Sequence, residues 1–258
     1  MTDQPDPQRD KNLIAGLAKG IRLMEAFDGA HTFLTQSEAA RRTGTSPAAA
    51  RRCLLTLCDL GYARTDGKRF WLDHGVLKLT YAYATATRMP RLLQPALDAL
   101  SDRTRESASV AVLHGSDVLV AARSTAQRSL TVGLGVGSRL PLHCSATGRV
   151  LLARFPAAEQ AARLRETTLA KLTPNTVTEL PRLKRLLREC KDNGYALSNE
   201  EIELGVRSMA VPLYDSSGQT LGALSISSRA DRLTASEMVG KLLPALLRTQ
   251  AWARSRLG

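Results

Sequence analysis

The chain has 258 residues, of which 43% are hydrophobic and 4% aromatic, so it can bury cores built mainly from aliphatic side chains. Its formal net charge of +12 favours a nucleic-acid partner, although residues 1–75 hold only 11 Lys and Arg against 9 Asp and Glu. The absence of a C-x-x-C pair argues against a disulfide framework and a zinc site. The sequence has no run of about 18 apolar residues, which argues against a membrane span. Its polar N-terminus argues against a signal peptide. We expect a cytoplasmic protein of two domains.

A polar tail, residues 1–12, is predicted to be disordered. Residues 13–27 then predict an amphipathic helix, because apolar side chains recur there at helical spacing. We expect one face of this helix to pack beneath the elements that follow it. The side chains on that face are Leu17, Ile21, Met24 and Phe27.

Two short helices separated by a tight turn are predicted next. Residues 36–42 form the first, and Gly44 ends it, because glycine tolerates the backbone conformation of a helix exit. Ser46 suits the N-cap of the second helix, and Pro47 suits its first helical position. The apolar positions on one face of the second helix are Ala50, Cys53, Leu54, Leu57 and Leu60.

A β-hairpin is predicted directly after these helices, because Asp66-Gly67 is a strong hairpin signal between two strand-like segments. The whole stretch, residues 34–72, therefore describes a winged helix-turn-helix whose second helix enters the major groove of DNA. The alternative interpretation of Arg51 and Arg52 is that they lie on an ordinary solvent-exposed face. The predicted DNA contacts are Thr35, Gln36, Ser46, Ala48, Ala49, Arg51, Arg52, Thr56, Lys68 and Arg69.

A connecting helix is predicted over residues 76–87, with Leu79, Tyr83 and Ala86 in register. Met89-Pro90 interrupts the pattern, and we place a domain boundary there. The predicted divisions are the DNA-binding domain at residues 13–74, the linker helix at 75–89 and a second domain at 90–258.

The second domain has an α+β pattern, with antiparallel strands flanked by terminal helices. Such a module can hold a small molecule between its sheet and its loops. The glycines at 133, 135 and 137 do not form a dinucleotide-binding motif, since no helix follows in register. Predicted helices span residues 91–105, 157–165, 180–193 and 236–256, with another after residues 140–149 that ends near residue 155. Predicted strands span residues 108–113, 118–123, 129–134, 195–198, 207–214 and 220–228.

Several motifs resemble the signature of the IclR-type transcriptional regulators, and the order of modules is similar to that family's from Leu13 onward. The signature residues are Gly194, Ser198, Glu201, Ser208-Met209-Ala210 and Leu213-Tyr214-Asp215. The chain looks most like the subgroup that controls aromatic-acid catabolism, the protocatechuate and 4-hydroxybenzoate regulators of the β-ketoadipate pathway. That likeness rests on the sequences at 50–57, 60–62, 70–72, 79–83 and 131–133, whereas residues 143–149 depart from the subgroup's usual loop.

The resemblance implies a GAF-like effector-binding domain and a homodimer or homotetramer on double-stranded, palindromic operator DNA. It also implies a small carboxylic acid effector such as 4-hydroxybenzoate or protocatechuate. A carboxylate is bound well by an arginine or by unpaired backbone N–H groups, and Arg128 is a second candidate for the ionic partner. The predicted effector contacts are Arg123, His143, Ser145, Ala146, Thr147, Glu201, Ser208 and Ser225. We predict no cofactor, metal or catalytic residue.

Some of these residues have a structural alternative. Ser145 and Thr147 can act as helix caps, and Arg149 suits a salt bridge. Glu201 either contacts the effector or pins the loop before the strand at residues 207–214. Whether the protein activates or represses transcription stays open.

Two alternatives concern the function itself. An enzyme could use His143-Cys144, because a thiol beside a helix start can have a lowered pKa. Alternatively, the regulator could read a different acid, of the glyoxylate or gentisate kind.

Overall fold

The computed structural model describes residues 13–126 and 134–257, and the chain divides into two compact units between Thr87 and Arg88. The predicted tail at residues 1–12, the candidate Arg128 and residues 129–133 of one predicted strand lie outside the described residues. Within the described part, no helix combines the length and the hydropathy needed to cross a membrane.

The first unit is the predicted winged helix-turn-helix. Its elements are α1 (Ala15–Glu25), β1 (Leu34–Thr35), α2 (Gln36–Thr43), α3 (Pro47–Asp59), β2 (Ala63–Thr65), β3 (Arg69–Leu72), a 3-10 turn (His74–Val76) and α4 (Leu77–Ala86). The three strands form an antiparallel sheet in the order β1-β3-β2. The hairpin β2–β3 is the wing.

Local side-chain chemistry sets the ends of the two central helices. Gly44 ends α2 in the left-handed conformation, with φ 65°. The Ser46 hydroxyl accepts the backbone N–H of Ala49 at 3.3 Å, and Pro47 occupies the first turn of α3. Further on, a Cβ at Gly75 would lie 2.0 Å from the carbonyl oxygen of Gly61, so only glycine lets these two backbone segments touch.

The buried face of α1 differs from the predicted one. Leu23 and Ala26 are buried against α2 and α3, and Phe27 packs against the same core as predicted, whereas Leu17 and Ile21 are exposed. Successive helical residues are separated by about 100°, so the helix is turned by one residue from the expected orientation. The prediction for Leu60 was also wrong, because it caps the end of α3 and is 62% exposed.

The second unit is an α+β domain built on a six-stranded antiparallel sheet of order β6-β5-β4-β9-β8-β7. Its helices are α5 (Arg88–Thr104), α6 (Ala146–Leu152), α7 (Ala157–Glu166), α8 (Leu180–Asn193) and α9 (Ala235–Arg254). Its strands are β4 (Ser107–His114), β5 (Asp117–Ser124), β6 (Arg139–Pro141), β7 (Ala196–Asn199), β8 (Val206–Tyr214) and β9 (Thr220–Arg229). The short edge strand β6 was not predicted, and α5 starts earlier than expected because Pro90 fits its first turn.

Residues alternate between the two faces of this sheet. One face carries large apolar side chains, such as Val110 and Ile226, that pack against α5 and α9. The other face carries small residues, with Ala111 and Ala223 against α6 and α8, and serines further along β4 and β9. These small side chains leave space beside the sheet, and the candidate pocket lies there.

Candidate DNA-binding face and effector pocket

The exposed face of α3 carries most of the predicted DNA contacts. Ala50, Leu54 and Leu57 bury the opposite face of the helix in the core. The exposed side chains are Ser46, Ala48, Arg51, Arg52 and Thr56, and Ala49 is half-buried beside them. Small residues at the start and two arginines behind them suit a helix that approaches base edges closely.

Thr35 has a structural role that the sequence prediction did not include. Its hydroxyl and its backbone N–H both donate to the Glu38 carboxylate at 2.8 Å, and the backbone N–H of Glu38 donates back to the hydroxyl at 3.3 Å. This capping box fixes the start of α2 and lowers the pKa of Glu38, chiefly through the backbone N–H of Thr35. The Thr35 hydroxyl is therefore committed to α2, and the neighbouring Gln36 is half-buried.

The wing presents Lys68 and Arg69, both exposed. Asp66 accepts their backbone N–H groups at 2.9 and 2.7 Å, and these bonds lower its pKa to about 2. The Arg69 guanidinium forms an ion pair with Asp66 at 3.1 Å and lies 5.3 Å from the centre of the Phe33 ring. These bonds hold the turn of the wing, and a lysine at its tip suits contact with a DNA phosphate.

In the second unit, one small pocket brings together six of the eight predicted effector residues. They are Arg123, Ser145, Ala146, Thr147, Ser208 and Ser225. The pocket holds about 40 Å³ between the serine-rich end of the sheet and two loops. The lining residues that the site prediction did not name are Ser109, Val120, Leu134, Leu140, Ile202, Glu203, Val206 and Ser227.

Serine hydroxyls form the floor of this pocket. Those of Ser109 and Ser225 on the paired strands β4 and β9 lie 2.8 Å apart. Period-two alternation along β9 places Ser227 on the same face, which is a signal available in the sequence. The Ser145 hydroxyl instead caps α6, since it donates to the Pro141 carbonyl at 2.6 Å and accepts from the N–H of Gly148 at 2.9 Å.

Arg123 supplies the positive charge of the pocket. It lies near the end of β5 and is half-buried, and burial lowers its pKa from the usual arginine value. Arginine nevertheless stays charged in proteins. Partial removal from water strengthens the attraction of this guanidinium for an anion.

Glu201 does not line the pocket but forms a buried ion pair with Arg149. The guanidinium donates to both carboxylate oxygens, at 2.5 and 2.6 Å, and the two side chains are 7% and 2% exposed. Arg149 also donates to the carbonyls of His143 and Leu197, and the backbone N–H of Val177 donates to Glu201. Of the two roles considered for Glu201, this geometry favours the pinning of the loop that carries Ile202 and Glu203.

His143 also lies beside the pocket rather than in its wall. It is 1% exposed, and its Nε2 lies 3.2 Å from the carbonyl oxygen of Ala170. Among the described residues, its Nδ1 has no hydrogen-bond partner. Burial lowers the pKa of the imidazole, so the folded state favours the neutral ring.

The lowered pKa of His143 predicts a pH dependence of stability. The unfolded chain takes up a proton near the ordinary value of 6.5 and the folded chain does so only at lower pH, so the free energy of unfolding falls as pH drops below 6.5. Urea unfolding at pH 7.5 and 5.5 should show a loss of up to about 1.4 kcal/mol from this group. His143→Gln should remove that part of the loss and His74→Gln, at an exposed site, should retain it. Equal pH dependence in all three proteins would contradict the assignment.

The environment of Cys144 opposes the thiol chemistry considered for His143-Cys144. Burial raises the pKa of the Cys144 thiol to about 11, so it is protonated near neutral pH and is not activated as a nucleophile. Among residues 13–126 and 134–257, no three His, Cys, Asp or Glu side chains are grouped so that they could hold a metal ion.

A winged helix-turn-helix joined to an α+β domain with a charged pocket defines the class of DNA-binding proteins that respond to a small molecule. Residues 16–67 match the IclR helix-turn-helix domain, and residues 81–255 match the model described as bacterial transcriptional regulator IclR C-terminal. The chain belongs to the IclR family of transcriptional regulators and is not an enzyme.

Two similar sequences support the expected subgroup. The Pca regulon regulatory protein of Pseudomonas putida is 39% identical over 239 residues, which cover 92% of this chain and 82% of that protein. The p-hydroxybenzoate hydroxylase transcriptional activator of Acinetobacter baylyi is 37% identical over 246 residues, which cover 93% and 91%. The resemblance to the protocatechuate and 4-hydroxybenzoate regulators is thereby confirmed.

Two similar solved structures contain hydroxybenzoates. A double mutant of the PobR inducer-binding domain from Acinetobacter, in complex with 3-hydroxybenzoic acid, is 32% identical with a TM-score of 0.62, covering 65% of this chain and 98% of that chain. An IclR homologue from Microbacterium hydrocarbonoxydans, in complex with 4-hydroxybenzoate, is 25% identical with a TM-score of 0.77, covering 94% and 99%.

Proposed function

We propose that this regulator controls genes of aromatic-acid catabolism and that a hydroxybenzoate, such as 4-hydroxybenzoate or protocatechuate, is its effector. The observation that carries the proposal is the pocket in which Arg123 meets a floor of serine hydroxyls. The names of the related regulators and the ligands of the related structures agree with it. An operator on the chromosome would place its action in the cytoplasm.

The pocket offers a partner for each part of a hydroxybenzoate. The carboxylate would pair with the Arg123 guanidinium. Aliphatic side chains of the lining, such as Leu140 and Ile202, would contact the ring, and Glu203 or a serine would bond to the ring hydroxyl. Because a pocket of about 40 Å³ has room for little more than one water molecule, an aromatic acid would displace the lining. Displacement of the lining would allow the ligand to change the affinity of the protein for DNA.

We also propose that two copies bind the operator together through their first units. Leu17, Ile21, Leu60 and Leu79 are exposed and line an apolar groove of about 770 Å³ within this unit. Exposed apolar patches of this kind commonly mark protein–protein contacts. The groove is also lined by Ala49, Arg52 and Thr56 of α3. A second copy related by two-fold symmetry would therefore pack on the apolar side chains of α1 and α4, leave these three residues to the DNA and set two recognition helices for the half-sites of a palindrome. Contacts between effector domains would join two such dimers into a tetramer.

Thr147→Leu tests the effector pocket. The larger side chain would fill the pocket, so the variant should bind its promoter fragment as the unchanged protein does but lose the response to effector. We would measure fluorescence anisotropy with the DNA upstream of its own gene, with and without 4-hydroxybenzoate, protocatechuate, gentisate and glyoxylate. Thr168→Leu makes the same change at an exposed position and should respond normally.

Two outcomes would contradict the proposal. A Thr147→Leu variant that responds normally would show that the pocket is misplaced. A response to glyoxylate alone would show that the effector is not aromatic.

A further inference from the structure

We propose that the effector domain has a second anion site, which takes a small monocarboxylate between Arg105 and Arg232. A cavity of about 470 Å³ opens where the end of α5 meets the end of β5 and the turn after β9. That volume lies in the usual range for small-molecule sites, roughly 300 to 1,000 Å³. It is also larger than the effector pocket, and the two cavities share no lining residue among those described.

Two arginines and one acidic residue line the cavity, and Glu106 forms an ion pair with one of the arginines. Arg105 and Arg232 both line it, and Asp102 is the one carboxylate among the described lining residues. Arg232 is held in place, since its guanidinium lies 3.2 Å from the Glu106 carboxylate and donates to the Arg105 carbonyl at 3.4 Å. Two arginines that line one cavity can together bind a carboxylate.

The backbone at Arg105 supplies the second argument. Arg105 is the residue directly after α5, and its φ of 59° lies in the left-handed region that favours glycine. At the ends of α2 and α8 the chain places Gly44 and Gly194 in this conformation, with φ 65° and 76°. An arginine at such a position costs free energy that a glycine would not, which indicates that its side chain has a use.

Hydroxyl groups complete the site. Ser101, Ser124 and Thr125 line the same cavity, so a carboxylate bound by the arginines would have hydroxyl donors nearby. Asp102 would repel a second negative charge and would accept a hydrogen bond from a ligand hydroxyl. The lining therefore selects a monocarboxylate over a dicarboxylate or a phosphate dianion.

The second site is positioned to influence the first. Arg123 lines the effector pocket and Ser124 lines this cavity, and consecutive residues of a strand point to opposite faces of the sheet. An anion bound beside Ser124 would thus bias the position of Arg123. This coupling rests on the proposed function, whereas the site itself does not.

Calorimetric titration of the full chain with sodium benzoate tests the site. The unchanged protein should show two binding events, Arg105→Gly should lose one of them, and Arg123→Ala should lose the other. Arg105→Gly should weaken benzoate binding at the second site at least tenfold. It should not lower the melting temperature, because glycine accepts the backbone conformation. Arg188→Ala removes the same charge from an exposed position on α8 and should keep both events.

The results separate this proposal from the proposed function. If Arg105→Gly titrates as the unchanged protein does, the second site is wrong. If Arg105→Gly loses its binding of inorganic phosphate but keeps its binding of benzoate, the assigned ligand class is wrong. If Arg123→Ala keeps both events while Arg105→Gly loses one, the second site stands and the effector pocket is misplaced.

Discussion

Replacement of Glu201 by alanine should lower the free energy of unfolding by about 3–5 kcal/mol, because it leaves the charge of Arg149 buried without its partner. The guanidinium is 2% exposed, and the two carbonyl oxygens that it also contacts cannot replace a negative charge. In a domain of this size each kcal/mol corresponds to about 2–4 °C, so the melting temperature should fall by roughly 6–20 °C. Differential scanning calorimetry of the full chain would measure the shift.

Two variants show whether charge is the cause. Arg149→Met combined with Glu201→Gln removes both charges, and it should be much less destabilising than the single change. Arg185→Ala breaks an exposed ion pair with Glu189, and its cost in charge interaction should stay below about 1 kcal/mol. A Glu201→Ala protein that loses no more than Arg185→Ala would show that the buried pair is not a structural anchor.

Local patterns predicted most elements of this fold because their causes lie within a few residues. The helix at residues 180–193 has the predicted limits, since Pro181 suits its first turn and Gly194 ends it with φ 76°. Likewise, Gly44 ends α2 and Ser46 caps the start of α3, as predicted. Ser225 was a predicted effector contact, and it lines the pocket together with Ser227 on the same face of β9.

The failures concern contacts between distant parts of the chain. The face of α1 that is buried depends on where α2 and α3 lie against it, and hydropathy did not distinguish Leu23 from Met24. Arg149 and Glu201 are 52 residues apart, so their pairing follows from the packing of α6 beside the loop after β7. His143 and Glu201 carry chemistry that suits a ligand, yet burial places them in a network behind the pocket wall.

Replacement of Arg51 and Arg52 by alanine should abolish specific recognition of the operator. Both side chains are exposed on α3, Arg52 on the side opposite the buried Leu54 and Arg51 at the flank of the buried face. An arginine that contacts a base edge contributes about 1–3 kcal/mol of discrimination. Each single variant should therefore weaken operator binding by roughly 5- to 150-fold, and the double variant by more. Gel-shift titration at fixed salt would measure these losses, and the melting temperature should not change.

A scrambled DNA of equal length distinguishes base reading from general attraction. Of the chain's Lys and Arg, 25 lie in residues 76–258 against 15 Asp and Glu, so most of the net positive charge lies outside the recognition helix. Binding to scrambled DNA depends on total charge and on salt. It should therefore survive in the double variant while operator binding falls to the same level. Arg22→Ala, a matched exposed change on α1, should keep the preference for the operator. Equal losses on both DNAs would show that the arginines contact phosphates only and that another surface reads the bases.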